Sequence, residues 1–102
     1  MTDGPTDAMV VEVWERVRPS AAQKVAVVAS ASSRLANDQL DESLRAEAWQ
    51  QAHRLAGSLG SFGWSDASDA AAAAERILEA PTVADADELA DAVVRMERAV
   101  DV

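Results

Sequence analysis

Apolar residues recur every three or four positions along most of the chain, which is the period of an α-helix with one buried face. Pro19, Asn37-Asp38, Gly63 and Pro81 interrupt this pattern. It predicts helices over 8–18, 21–36, from 41 or 43 to 62, from 65 or 66 to 78, and from 82 almost to the end. Short turns between helices favour antiparallel packing. We therefore expect an all-α fold, an antiparallel four-helix bundle with a short additional N-terminal helix. Residues 1–6 lack the pattern and are predicted to be a flexible leader, which leaves 7–102 for the bundle.

The third predicted helix has the clearest apolar face. Its members follow at steps of three and four residues: Leu44, Ala48, Ala52, Leu55, Leu59 and Phe62. At about 100° per residue, Leu44 and Phe62 lie on the opposite side of the helix from His53. This histidine, the only one in the chain, is therefore expected to point to solvent from the middle of the helix.

Small residues surround His53 on that exposed face. On the same helical wheel Gly57 lies at about 40° from His53, Gly60 at about 340° and Ala56 at about 300°. Glycine inside a helix lowers stability by up to about 1 kcal/mol relative to alanine. A functional role of these positions is one explanation for their glycines. Bare backbone would let another protein reach the imidazole. The alternative is a frayed or kinked helix end in which the histidine is incidental.

Trp49 lies one turn before His53 on the same face. An exposed tryptophan can anchor a protein interface, and this is the role we expect for it. The alternative is that the side chain folds back onto the first helix.

Composition excludes several other classes of function. The chain has 102 residues, a formal net charge of −9 and no cysteine, so disulfides and thiolate metal sites are excluded and a zinc site is not expected. The negative charge disfavours nucleic acid and anionic membrane surfaces as partners. No apolar stretch approaches the roughly 20 residues of a membrane span. We expect a cytoplasmic protein without metal or cofactor.

The run AHRLAGSLGSFG, residues 52–63, resembles the signature of histidine-phosphotransfer (HPt) domains. His53, Leu55, Gly57 and Gly63 occupy the matching positions. The resemblance extends over nearly the whole chain, because two predicted helices lie on either side of the motif. One departure is Ala56, since the family commonly has lysine three residues after the histidine. Arg54 and Arg45 are the nearest basic residues, and neither occupies that position.

The resemblance implies a phosphoryl carrier rather than an enzyme with its own kinase activity. His53 would be phosphorylated, and Glu75, at the matching place on the next helix, would accept a hydrogen bond from the imidazole and orient it. The partner would be a receiver domain of a response regulator or hybrid kinase, and the carrier a monomer. The docking residues would be those around the histidine: Trp49, Arg54, Ala56, Gly57 and Gly60.

Two other readings remain open from the sequence. One is an interaction module of the same fold that is never phosphorylated, which the missing lysine favours. The other is a generic helical scaffold or dimerisation unit, in which the glycines near His53 have no function. An enzyme with its own active site is disfavoured, because the sequence fixes no second catalytic side chain beside His53.

Overall fold

The helices predicted from the periodicity pack as an antiparallel bundle. The computed structural model describes residues 3–100, within which the helices are α1 (Ala8–Ala36), α2 (Glu42–Ser61), α3 (Ser65–Glu79) and α4 (Ala86–Val100), with a 3₁₀ turn at Val83–Asp85 before α4. Each helix packs against two others, in the cyclic order α1, α2, α3, α4. The predicted all-α four-helix bundle is confirmed.

The prediction of a separate short N-terminal helix is wrong, because α1 continues through Pro19 without a break. A proline inside a helix lacks the N–H that the preceding turn needs, at a cost of about 3 kcal/mol. Packing offsets that cost here: Trp14 before the proline and Ala21 and Val25 after it are all buried in the same core. Ser20 therefore lies inside the helix, and its hydroxyl accepts a hydrogen bond from Lys24 at 2.8 Å.

The first turns of α1 are less buried than their pattern predicts. Met9 and Val13, which follow the apolar helical spacing, are 77% and 45% exposed. Trp14 is buried, and its ring centroid lies 5.2 Å from that of Phe62 and 5.8 Å from that of Trp64. This aromatic cluster attaches the beginning of α1 to the end of α2.

Gly63 ends α2 in the left-handed conformation that its position predicts. Its φ is +85°, which residues with a Cβ rarely adopt. Its N–H donates to the carbonyl of Gly60 at 3.0 Å, and the N–H of Trp64 donates to that of Leu59 at 2.9 Å. These two bonds form a Schellman motif, which turns the chain sharply into α3.

The segment before α1 is attached to this same turn. Met1 and Thr2 of the predicted leader lie outside the described residues. The N–H of Gly4 donates to the carbonyl of Gly63 at 3.0 Å, and a carboxylate oxygen of Asp3 accepts from the N–H of Ser65 at 2.8 Å. Asp3 thus supplies the first turn of α3 with an acceptor. The N-cap residue, Trp64, makes no capping bond with its side chain.

Small side chains bring α2 and α3 close together. The residues buried between and beneath them are largely alanines: Ala48, Ala52, Ala67, Ala70, Ala71 and Ala74. Side chains of this size let neighbouring helices approach each other closely. At the beginning of α3, an ion pair joins this helix to α4. The Arg95 guanidinium donates hydrogen bonds to the Asp66 carboxylate, the shorter at 2.8 Å, and these bonds lower the pKa of Asp66 below its ordinary value.

Replacing Pro19 with alanine should stabilise the protein. The alanine N–H can complete the hydrogen-bond ladder of α1, and Pro19 is exposed, so no core contact is lost. After allowance for the greater freedom of the unfolded chain, we expect a gain of about 2 kcal/mol, or roughly 10 °C in Tm, in thermal unfolding followed by circular dichroism. Ser33→Ala, at another exposed position of α1, is the control for helix propensity. A lower Tm for Pro19→Ala would show that the packing of α1 requires the proline.

Candidate functional site

His53 lies on the solvent side of α2, as the helical wheel predicts. Its side chain is 63% exposed, whereas Ala52 and Leu55 on either side of it in sequence are fully buried. The bundle therefore fixes the backbone beneath the histidine through its neighbours. A nucleophilic nitrogen held in this way is available to a second molecule without any opening of the fold.

Glu75 reaches His53 from α3. Its carboxylate Oε1 lies 3.2 Å from Nδ1 of the imidazole, and its side chain is 25% exposed. The contact is possible because α2 and α3 are antiparallel and closely spaced, so that residues far apart in the sequence lie side by side. At this distance the oxygen is within reach of a proton on Nδ1 of the neutral ring. In the protonated ring the two side chains would form an ion pair.

Trp49 also touches His53, from one turn earlier on the same helix. The two ring centroids are 5.5 Å apart and the ring planes are only 7° from parallel. Trp49 is half-buried and packs against the core, so the freely exposed side chain that the wheel predicts is not observed. The spacing of four residues is the sequence signal for this contact, since such side chains are neighbours on a helix.

The two glycines near His53 differ in their surroundings. A Cβ added at Gly57 would meet no heavy atom within 4 Å beyond its own stretch of helix, so this exposed position has no packing reason to be glycine. A Cβ at Gly60 would lie 3.1 Å from Oγ of Ser68 on α3. That hydroxyl donates to the carbonyl of Ala56 at 2.7 Å. Packing against Ser68 therefore explains why position 60 is glycine. No pattern in the sequence indicated this contact.

The basic residues near α2 point in different directions. Arg54 is exposed and lines an open groove between α1 and α2 with Lys24. Arg45 is held at the far end of α3, where it donates to the carbonyl of Leu78 at 2.7 Å and to Glu42. Its hydrogen bond lowers the pKa of Glu42 below the ordinary value. Arg45 therefore does not take the place of the lysine that the family commonly has at the position of Ala56.

Two kinds of site are not found in the described part of the chain. Among residues 3–100 no group of three or more His, Cys, Asp or Glu side chains is arranged to hold a metal ion. Nor is any helix within this range both long and apolar enough to cross a membrane.

Comparison with known proteins identifies the family. The family model described as Hpt domain matches residues 12–101 of the 102-residue chain, a range that includes all of α2, α3 and α4. Neither the curated proteins nor the solved structures contain a significant match to the chain. Because the family model covers most of the sequence, the chain belongs to the Hpt domain family, whose members are histidine-phosphotransfer modules of two-component signalling and phosphocarriers rather than kinases.

Proposed function

We propose that His53 carries the phosphoryl group and relays it between receiver domains. Nε2 of the neutral imidazole attacks the phosphorus of an aspartyl phosphate on one receiver. A P–N bond forms, the P–O bond to the aspartate breaks, and the carboxylate leaves with the electron pair. Attack by an aspartate of a second receiver on the phosphohistidine reverses these steps. The metal ion and the charged groups that stabilise the transition state would belong to the receiver.

The contact between His53 Nδ1 and Glu75 is the observation that carries this proposal. A carboxylate 3.2 Å from Nδ1 favours the tautomer with its proton on that nitrogen. The lone pair is then on Nε2, at the other side of the ring. An ordinary surface histidine has no such partner to select one nitrogen as nucleophile. The exposure of the ring leaves room for an incoming phosphoryl group.

The proposed docking face is the surface of α2 around His53. It consists of Arg54, Ala56, Gly57 and Gly60, with Trp49 at its edge. The open space at Gly57 allows a receiver to approach within reach of the imidazole. Arg54 makes no ion pair with a carboxylate of the described residues and is available to a partner. That the carrier is monomeric and cytoplasmic stays a prediction from the sequence.

A second candidate function is an interaction module of the same fold that is not phosphorylated. Ala56 favours it, because the family's usual lysine at this position would support the charge of the phosphoryl group. Receiver binding without phosphate transfer would identify this function.

The substitution His53→Gln should abolish phosphorylation and leave the fold intact. The side chain faces away from the core, so the free energy of unfolding should change by no more than about 0.5 kcal/mol. The measurement is transfer of labelled phosphate from a panel of phosphorylated receiver domains, with ATP and Mg²⁺ alone as a separate arm. The parent should gain an acid-labile, base-stable label from a receiver and none from ATP.

Equal labelling of the His53→Gln protein would contradict the assignment of the site. Failure of the parent to accept phosphate from any receiver, combined with binding to one of them, would establish the module that is not phosphorylated. Labelling from ATP alone at a rate comparable to receiver transfer would contradict the carrier mechanism.

The substitution Gly57→Leu should block docking while the bundle stays folded. The new side chain enters open space beside the imidazole, and helix propensity rises by up to about 1 kcal/mol. Calorimetric titration with a cognate receiver should show binding lost or weakened by at least about tenfold. The matched control is Ala90→Leu, at an exposed position of α4. Unchanged affinity of the Gly57→Leu protein would exclude this face as the docking surface.

The substitution Glu75→Ala should slow phosphorylation of His53 by about tenfold with little effect on receiver affinity. Glu75→Gln keeps an oxygen that can accept the Nδ1–H bond, so its rate should lie nearer to that of the parent. Single-turnover transfer measured by rapid quench gives the rates. Glu79→Ala, one turn later on α3 and exposed, is the control. An unchanged transfer rate in the Glu75→Ala protein would show that Glu75 is an ordinary surface residue that does not orient His53.

A further inference from the structure

The indole of Trp49 limits the motion of the His53 imidazole through a contact different from that of Glu75. The parallel rings, 5.5 Å apart between centroids, have the separation and orientation of an offset stack. Glu75 contacts the edge of the ring at Nδ1, while the Trp49 ring lies nearly parallel to it and offset. A contact at one edge alone permits the ring to tilt about the N–O direction. A stacked neighbour opposes that motion.

Packing holds Trp49 itself in place. The side chain is half-buried and packs against the core, and its indole N–H is buried without a hydrogen-bond partner in the described structure. A buried unpaired N–H lowers stability. The orientation of the indole therefore comes from its contacts with the core and with His53, and not from a polar partner. Such a side chain offers the histidine a fixed surface.

We propose that Trp49 is a positioning residue for phosphorylation of His53, stacking on the imidazole so that Nε2 is held toward the incoming phosphorus. The inference rests on the proposed function of His53. It differs from a docking role for Trp49, because it requires an effect on the histidine even when no receiver is present. Loss of the stack would let the ring sample orientations in which Nε2 is misdirected, and small misplacements of reacting groups slow reactions considerably.

A small phosphoryl donor separates positioning from docking. Phosphoramidate transfers its phosphoryl group to imidazole: the new P–N bond forms on His53, the P–N bond to the amino group breaks, and ammonia leaves. We expect Trp49→Ala to lower the rate of this reaction by about tenfold, and Trp49→Phe, which keeps an aromatic face, to restore much of it. A residue that acts only in docking would slow transfer from a receiver and leave the phosphoramidate rate unchanged.

Trp64→Ala is the matched control for loss of a large side chain. Trp64 is also half-buried, packs against the same core and has a buried indole N–H without a partner, but it lies beyond the end of α2. Its removal should lower the Tm and leave the phosphoramidate rate unchanged. If both alanine variants slow the reaction equally, the effect reflects general destabilisation and the inference is wrong.

Nuclear magnetic resonance gives a readout that needs no phosphorylation. The chain has a single histidine, so its imidazole carbon-bound protons can be assigned without ambiguity. The ring current of the indole should displace these signals in the parent, less so in Trp49→Phe and not in Trp49→Ala, while Trp64→Ala keeps the parental shifts. Parental shifts in Trp49→Ala would show that the stack is absent in solution and overturn the inference. If the parent shows the displaced signals but accepts phosphate from neither donor, the proposed function fails, and with it the inference.

Discussion

The close approach of α2 to α3 is the constraint on which the site depends. Alanines fill the space between these helices, and a hydroxyl of Ser68 reaches across to the carbonyl of Ala56. Across these closely packed helices, Oε1 of Glu75 lies 3.2 Å from Nδ1 of His53. The contact therefore depends on backbone packing more than on the flexibility of either side chain. Protein interiors are densely packed and deform little. The packing of the buried faces of α2 and α3 therefore determines the geometry of the exposed site on the same helices.

The division of labour at the site follows from this arrangement. The site consists of three side chains on two helices: His53 supplies the nitrogen, Glu75 contacts one edge of its ring, and the Trp49 ring lies nearly parallel to it. Nothing in this set stabilises negative charge on an incoming phosphoryl group, and Ala56 adds none. In the proposed function the partner must therefore contribute all the electrostatic stabilisation.

The periodicity of apolar residues was enough to predict the bundle, the exposure of His53 and the end of α2 at Gly63, because these depend on local geometry. The prediction failed at Pro19, where burial of Trp14 and Val25 on either side outweighs the local cost of proline. It also missed the packing reason for Gly60, since that requires knowing that Ser68 lies opposite. The position of Glu75 came from a family resemblance and not from periodicity. Long-range pairs of this kind have no signature in a single sequence.

The attachment of the N-terminal segment to the turn after α2 bears on where the folding unit begins. The family match starts at residue 12, within α1. Yet Asp3 accepts the first N–H of α3, Gly4 is bonded to Gly63, and Asp7 caps α1. A fragment cut at the family boundary would retain every residue of the proposed site and lose the acceptors for the free amides at the start of two helices. Asp3, Gly4 and Asp7 thus make hydrogen bonds to the bundle that lie outside the range recognised by sequence similarity.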